Sequence, residues 1–451
     1  MCHCTSPKER NAIRVMQPNS ECSIHTSVTL AGGTVMCIGG DCTYRFNNVT
    51  FVASNLMVLG GAKVVLDQAK FESSRYVGIL VHGTGTVLTV RSSAIDGGVQ
   101  GIAASSGARV VASHLEISSV NGTSIDVEGH GTFLSLKHST IQNFRSHMCS
   151  HMCSTRGVRI HSCSSAHLSS VDITGTWRGV DVSTRAYTTL IGCSVTQIDT
   201  ECVMINSGGC AWLHRCILTH SRTSQGLSMQ HSGTLAGATF CRFQKNAKSG
   251  VLAVDGAALR AHSCTSMENG GVGYCAYGRE TAIDLVRCRS ECDQQGCAAV
   301  QGGKICARRV AVRGSREMGF RADDWGQVAL ANCTASKCRL HGVYVRDEGS
   351  SLVAEGCNLQ QNLGCGAVSS MRGVAIFRNC QAWANNEEGY FSQDKGRVHV
   401  TDSSYQGDKS GCGVACGGSL CMERVTFNGV CRSGTLPRRG IQGALAMLRM
   451  G

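Results

Sequence analysis

The feature that most constrains this chain is an internal repeat of about 23 residues. Glycine and cysteine both recur with this spacing, and the two series are in phase. The repeat glycines are Gly226, Gly250, Gly273, Gly319, Gly342, Gly366, Gly389 and Gly413. The repeat cysteines are Cys193, Cys216, Cys241, Cys264, Cys288, Cys333, Cys357 and Cys380. Five of these cysteines precede a repeat glycine by nine residues. Such coherence predicts one structural unit stacked many times.

Within one repeat, two short stretches alternate between apolar and polar residues, separated by polar turns with Gly or Asn. Residues 343–366, for example, read VYVRDEGSSLVAEGCNLQQNLGCG. Alternation with a period of two indicates strands, and it argues against the helical faces of longer solenoid repeats. Residues 19–436 contain no proline, as central strands require. We therefore expect an all-β chain: a single-stranded right-handed parallel β-helix of about seventeen coils.

The spacing Cys-x-apolar-x-x-Asn-x-x-x-Gly, found in residues 241–250 and 357–366, resembles the right-handed parallel β-helix repeat. That repeat is typical of the pectin-lyase-like superfamily and of carbohydrate-binding and sugar-hydrolase repeat proteins. The resemblance covers about residues 35–440. It implies the fold strongly, whereas the fold itself hosts lyases, hydrolases, epimerases, viral spikes and non-catalytic scaffolds.

Departures from the repeat divide the chain. Residues 1–34 are irregular and are expected to cap one end, residues 35–440 form the β-helix, and residues 441–451 form a tail that covers the other end. The coil that starts at Ile125 is about ten residues longer than the repeat. Its excess is an inserted loop at residues 146–154, which reads SHMCSHMCS.

The 28 cysteines suggest either disulfides or a column of small buried side chains. The regular spacing favours reduced thiols stacked in neighbouring coils. The N-terminal residues MCHCTSPKERN lack the apolar core of a secretory signal, and no apolar window is long enough to span a membrane. These observations predict an intracellular (cytoplasmic) or virion location.

The formal net charge of +12 is spread over the whole sequence, and aromatic residues make up only 5%. This composition argues against sequence-specific nucleic-acid binding, which needs clustered basic and aromatic side chains. The expected partners are a carbohydrate, including an acidic glycan, or a protein. The expected assembly is a monomer or a homotrimer.

Stacking the coils places charged side chains together on the outward side of one strand. The first candidate catalytic group is Asp126, Glu128, Arg159, His161 and Asp181. Carboxylates on adjacent coils can bind Ca²⁺ or act as acid and base, and an arginine between them can hold a sugar carboxylate. The grouping is similar to that of pectate lyases. The alternative is a set of cross-strand charge pairs on the surface.

The second candidate group is Arg321, Asp323, Asp324, His341 and Arg346, with Asp347 beside them. Paired aspartates followed by His-Gly are similar to the polygalacturonase pattern, but that family's Asn-Thr-Asp and Arg-Ile-Lys motifs are missing. This group has two interpretations: the active site of an inverting hydrolase, or a surface of salt-bridged side chains.

The inserted loop alternates imidazole and thiol ligands at His147, Cys149, His151 and Cys153. Such ligands suit Zn²⁺ or Cu⁺, whereas duplication of an SHMC unit by repeat slippage gives the same pattern without a metal. No other cofactor is expected.

The favoured function is a non-catalytic β-helix scaffold that recognises a carbohydrate or a protein. The alternatives are a polysaccharide lyase or glycoside hydrolase that acts on an acidic polysaccharide in a groove of the β-helix, and a structural or fibre protein of a virus.

Overall fold

The computed structural model describes residues 21–24, 28–30, 35–41, 43–74, 76–143, 155–408 and 411–427. They form an all-β parallel solenoid of about 16 turns with about 23 residues per turn, close to the seventeen coils predicted. No helix occurs among these residues, and hence none that could cross a membrane. The chain divides into an N-terminal unit, Met1–Arg222, and a C-terminal unit, Thr223–Gly451.

Each turn contributes one strand to each of three parallel ladders, named first, second and third in chain order. In the N-terminal unit the first ladder consists of Val35–Ile38, Asn55–Leu59, Val77–His82, Gln100–Ser105, Thr123–Glu128, Arg156–His161, Arg178–Val182 and Val203–Asn206. Its second ladder consists of Glu21–Ile24, Thr43–Asn47, Lys63–Asp67, Val87–Arg91, Arg109–Ser113, Tyr187–Ile191 and Cys210–His214. Its third ladder consists of Val28–Leu30, Val49–Val52, Lys70–Glu72, Ala94–Asp96, Glu116–Ser118, Ser194–Thr196 and Ile217–Thr219. Two long strands, Phe133–Gln142 and Ser165–Thr174, belong to both the second and the third ladder.

The C-terminal unit repeats this arrangement with greater regularity. Its first ladder consists of Leu227–Gln230, Val251–Val254, Val272–Tyr277, Gln295–Val300, Phe320–Asp323, Val343–Val345, Ala367–Ser369, Tyr390–Ser392 and Cys412–Val414. Its second ladder consists of Leu235–Thr239, Ala258–His262, Ala282–Val286, Lys304–Arg308, Gln327–Ala331, Ser351–Glu355, Val374–Arg378, Arg397–Thr401 and Ser419–Glu423. Its third ladder consists of Arg242–Gln244, Thr265–Met267, Arg289–Glu291, Ala311–Arg313, Thr334–Ser336, Asn358–Gln360, Gln381–Trp383, Ser404–Gln406 and Thr426–Phe427.

The ladders begin earlier in the chain than the sequence pattern indicated. Strands Glu21–Ile24 and Val28–Leu30 lie inside the segment 1–34 that was expected to be irregular, and they pair in parallel with Thr43–Asn47 and Val49–Val52. The tail 441–451 and the inserted loop 146–154 lie outside the described residues.

The repeat glycines are needed because neighbouring turns approach very closely at the start of the first ladder. A Cβ atom on Gly366 would lie 2.5 Å from the carbonyl oxygen of Gly389, and one on Gly342 would lie 2.6 Å from that of Gly366. Gly296 occupies the same place in its turn, because a Cβ atom there would contact the carbonyl oxygen of Gly319. It is therefore the missing member of the glycine series between Gly273 and Gly319. Side chains are excluded here by contact with backbone, and a left-handed φ plays no part.

The repeat cysteines line the bend between the second and third ladders and are buried. Their thiols point toward backbone carbonyls of the neighbouring turn: Cys380 Sγ lies 3.5 Å from the oxygen of Ala354, and Cys216 Sγ lies 3.4 Å from that of Leu190. The cysteines of the described residues are free thiols. In this column a thiol therefore acts as a small apolar group with a weak donor.

Buried amides form a second interior column, at the bend after the third ladder. The Oδ1 atom of Asn385 accepts hydrogen bonds from the backbone N–H and Nδ2 of Asn362, at 3.1 and 2.9 Å. Asn385 in turn donates through Nδ2 to Asp408, at 2.9 Å. Asn246, Asn269 and Asp293 form an equivalent run. Asn362 and Asn385 each satisfy a backbone N–H and a backbone carbonyl of the preceding turn, as buried polar groups require.

Candidate functional site

The first candidate group lies on the outward side of the first ladder in the N-terminal unit. The register pairs Asp126 with Arg159 and Arg159 with Asp181, so the three residues occupy successive turns as the sequence pattern predicted. Glu128 pairs with His161 in the same way. Since parallel turns are about 4.8 Å apart, Asp126 and Asp181 lie roughly two spacings from one another.

Of these register pairs, only Glu128 and His161 have side chains within ion-pair distance of one another. His161 Nε2 lies 3.1 Å from Asp126 Oδ1, and its Nδ1 lies 3.9 Å from Glu128 Oε1. Gln100 donates through Nε2 to the other oxygen of Asp126, at 3.3 Å. Arg159 has no hydrogen-bond or ion-pair partner among the residues that the structure describes. Asp126 is therefore held by an imidazole and an amide, and Arg159 stands beside it.

Asp181 forms ion pairs with two arginines that the sequence pattern did not single out. Arg156 Nε and Arg178 Nη1 both donate to Asp181 Oδ2 at 3.0 Å, and the aspartate side chain is only 7% exposed. Both guanidinium groups also lie over the ring of Trp177, at 5.7 and 4.7 Å from its centre. A carboxylate bound in this way is a structural anchor and has little freedom to accept a proton from a substrate.

The second candidate group places two acidic side chains near one another in the C-terminal unit. Asp323 forms an ion pair with Arg321, and its Oδ1 atom has no hydrogen-bond partner among the described residues. Burial alone would raise the pKa of Asp323, but the neighbouring Asp347 and Arg321 outweigh it and lower that pKa. The neighbouring Asp323 carboxylate raises the pKa of Asp347. The protonation of each group therefore depends on the other.

Asp323 is poorly placed to act as an acid or a base, because one of its oxygens is held by Arg321.

Trp325 extends the second group with an exposed aromatic surface. It follows Asp324 in the turn after strand Phe320–Asp323 and is 57% exposed. Its six-membered ring lies directly against Gly349, so that any Cβ at residue 349 would overlap it. Arg346 and Asp347, whose Nε and Oδ1 atoms are 3.6 Å apart, belong to the same pair of turns. The indole is thus held on one side by backbone, beside two aspartates and an arginine.

His341 was grouped with these aspartates from sequence, but its contacts are with other residues. Its ring stacks on Tyr344, with the ring centres 5.8 Å apart, and its Nδ1 accepts the backbone N–H of Cys365 at 3.0 Å. Burial lowers the pKa of His341. Its thiol and carboxylate neighbours are Cys365 and Glu387.

The remaining candidates lie elsewhere. The loop ligands His147, Cys149, His151 and Cys153 are outside the described residues. A concavity of about 490 Å³ lies between the second and third ladders of the N-terminal unit, lined by Gln68, Lys70, His114 and Glu116 among others, and includes neither candidate group.

Sequence reasoning missed Arg156, Trp177, Arg178 and Trp325. Arg156 and Arg178 could have been found by following the stacked register three residues toward the start of the strands, since Arg156 pairs with Arg178. Trp177 directly precedes strand Arg178–Val182 and lies outside that register. Trp325 lies in a turn, where the strand register gives no prediction.

The right-handed β-helix region, a known protein family, matches residues 35–187, 156–305 and 284–431. These matches cover most of the chain, which therefore belongs to the right-handed β-helix family. No curated protein sequence matches it significantly.

Solved structures with the same fold are remote in sequence. The periplasmic alginate epimerase AlgG is 10% identical, with a TM-score of 0.34, over 80% of this chain and 77% of the epimerase. The tailspike of Escherichia coli bacteriophage HK620, solved with a pentasaccharide, is 9% identical, with a TM-score of 0.34, over 81% of this chain and 72% of the tailspike. Pectate lyase Pel9A is 11% identical, with a TM-score of 0.25, over 66% of this chain and 70% of the lyase. These likenesses concern the fold alone.

Proposed function

We propose that this protein is a non-catalytic β-helix scaffold that binds carbohydrate, and that the sugar lies on the C-terminal unit beside Trp325. The observation that carries the proposal is the exposed indole held against Gly349. A rigid aromatic face offers a large contact area at a low entropic cost. The apolar C–H faces of sugar rings stack on such surfaces.

The groups beside Trp325 supply the polar half of a sugar site. Asp347 and Arg346 are partly exposed, with 36% and 42% of their side chains accessible. Carboxylates accept hydrogen bonds from sugar hydroxyls, and a guanidinium donates to hydroxyl or carboxylate oxygens. An aromatic platform with a few convergent polar groups is typical of small-ligand sites.

Two features support binding without turnover. Asp323 is paired with Arg321, which occupies one of its oxygens. On the N-terminal unit, Asp181 is engaged by two arginines, and Asp126 by His161. In both groups the carboxylates are held by protein partners and are poorly placed to act as acid and base.

The test begins with the full reduced chain on an array of neutral and acidic glycans, followed by titration calorimetry on each hit. We expect saturable binding that Trp325→Ala weakens by roughly 30-fold, the effect of losing about 2 kcal/mol at a central aromatic contact. Trp212→Ala is the matched control, because Trp212 is 50% exposed on the N-terminal unit. It should bind as the wild type does.

Product analysis by chromatography separates the alternatives. Cleaved or unsaturated oligosaccharide would show an enzyme and overturn the non-catalytic proposal. An array without any hit would overturn carbohydrate recognition and favour a protein partner or a structural role. Equal losses in the Trp325 and Trp212 variants would show that the site is misplaced.

A further inference from the structure

We propose that His341, Cys365 and Glu387 of the C-terminal unit form a binding site for one Zn²⁺ ion, with Glu388 beside them. The ligand atoms of His341, Cys365 and Glu387 all lie within 4.8 Å of one another. Glu388 is not part of that group, but its Oε2 atom lies 3.4 Å from Cys365 Sγ. This site is distinct from the inserted loop and does not depend on the proposed sugar site.

The repeat itself brings these residues together. His341, Cys365 and Glu388 each come immediately before a repeat glycine, in three successive turns. Backbone hydrogen bonds connect those turns: Gly342 N–H donates to the carbonyl of Cys365, and Gly366 N–H donates to that of Glu388, at 3.1 and 2.9 Å. The three side chains therefore form a column along the edge of the first ladder. They lie two residues before the first-ladder strands, where these hydrogen bonds between turns hold the backbone.

The contacts of Cys365 favour a cation at this position. Its sulfur lies 3.4 Å from Glu387 Oε2 and 3.4 Å from Glu388 Oε2. A thiol has one proton, so it can donate to only one of these carboxylates, and the other faces a sulfur lone pair. Cys365 is 2% exposed, which limits the water that could relieve this contact. A divalent cation between the thiolate and the two carboxylates would replace this repulsion between sulfur and oxygen by attraction of each group to the cation.

The distances match those of a zinc centre. With Zn–S near 2.3 Å and Zn–O near 2.1 Å, a tetrahedral site places sulfur and oxygen ligands ~3.6 Å apart. The two observed sulfur–oxygen separations of 3.4 Å are close to that value. Thiolate, imidazole and carboxylate are the three ligand types that Zn²⁺ takes in proteins, and hard cations such as Mg²⁺ and Ca²⁺ avoid the thiolate.

The imidazole is held in a fixed orientation beside the thiol. The N–H of Cys365 donates to Nδ1 of His341, which requires a lone pair on that nitrogen. Stacking on Tyr344 fixes the plane of the ring. An ion bound at Nδ1 would replace this one hydrogen bond.

The experiment uses the full chain, reduced with a phosphine and stripped with a chelator, and adds ZnCl₂ alone. Calorimetry gives the stoichiometry, and thermal unfolding gives the stabilisation. Co²⁺ in place of Zn²⁺ gives a thiolate-to-cobalt absorption band. The test variants are Cys365→Ser and Glu388→Gln. The matched control is Cys421→Ser, from the more exposed cluster of His399, Cys421 and Glu423.

We expect Cys365→Ser to lose one equivalent of Zn²⁺, the cobalt band and the zinc-dependent rise in Tm. Glu388→Gln, a conservative change, should bind roughly 10–100-fold more weakly, because outer-shell partners of a metal are worth that much. Cys421→Ser should keep all three signals. Equal zinc uptake and equal thermal shifts in the wild type and both test variants would overturn the proposal, as would a wild type that binds no zinc.

Discussion

The buried amide column makes a sharp test of how this fold is held together, and Asn385 is its best-defined member. Asn385 is 2% exposed, and its neighbour Asn386 is exposed. Replacing each by alanine removes the same chemical group from adjacent positions. Only the first change removes interior hydrogen bonds, so Asn386→Ala is the matched control.

The magnitude follows from the bonds lost. Asn385 Oδ1 accepts from the backbone N–H and Nδ2 of Asn362, and its Nδ2 donates to Leu359 and Asp408. After truncation, Asn362 Nδ2 keeps the carbonyl of Ala335 at 3.4 Å, and Asp408 keeps the backbone N–H of residue 385. The N–H of Asn362 and the carbonyl of Leu359 lose these bonds while buried. At about 1–3 kcal/mol for each orphaned group, the loss is roughly 2–6 kcal/mol.

Urea unfolding in reducing buffer, followed by tryptophan fluorescence, measures this loss, and Trp383 reports on it locally from the same turn. Hydrogen exchange at the Asn362 amide shows whether the opening is confined to neighbouring turns, as expected for a solenoid. Asn386→Ala should change stability by less than about 0.5 kcal/mol. If Asn385→Ala does no more than that, or if the Asn362 amide keeps its protection, the amide column does not carry the stability assigned to it.

Three further predictions concern charges and thiols. Asp181→Asn should lower the free energy of unfolding by about 1–3 kcal/mol, since Arg156 loses its anion and Arg178 keeps only Glu201. Glycan binding should be unchanged, and unaltered melting would refute this prediction. Burial raises the pKa of Asp293, so its charged carboxylate destabilises the fold as pH rises through that pKa. Asp293→Asn should therefore gain stability relative to the wild type from about pH 4 upward. A stability difference between the two proteins that does not change with pH would contradict this prediction. In the folded protein, iodoacetamide should modify the exposed Cys163 well before the buried Cys264 or Cys338, and peptide mass spectrometry measures this order. The reason is that burial raises the pKa of Cys338 to about 11, which leaves roughly 0.1% of it as thiolate at pH 8. Equal labelling would mean that the column opens readily.

Much of the fold could be predicted because every stacked coil obeys the same structural requirement, which therefore recurs in the sequence with a fixed period. Each coil must supply a small residue where turns touch and a small buried group at the bend, so glycine and cysteine recur together. The same period placed Asp126, Arg159 and Asp181 on successive turns, as the register has them. The early strands Glu21–Ile24 and Val28–Leu30 escaped notice because they lie outside the phased series of glycines and cysteines.

The period could not predict which side chains pair. Asp126 contacts His161 across a diagonal, and Asp181 contacts Arg156 and Arg178, although Arg159 lies opposite both aspartates in the register. Long side chains on an outward face choose among several neighbours at similar distances, and that choice depends on rotamers and local burial.

The sequence by itself determined the all-β solenoid, its coil length and the identity of its interior columns, because these follow from a rule repeated in every turn. Only the tertiary structure decided where chemistry can occur. Trp325 became a platform because Gly349, two dozen residues away, left room for its ring, and Cys365 met two carboxylates because Glu387 and Glu388 follow one turn later. Such contacts join residues that are distant in sequence and occur once, so no periodicity announces them.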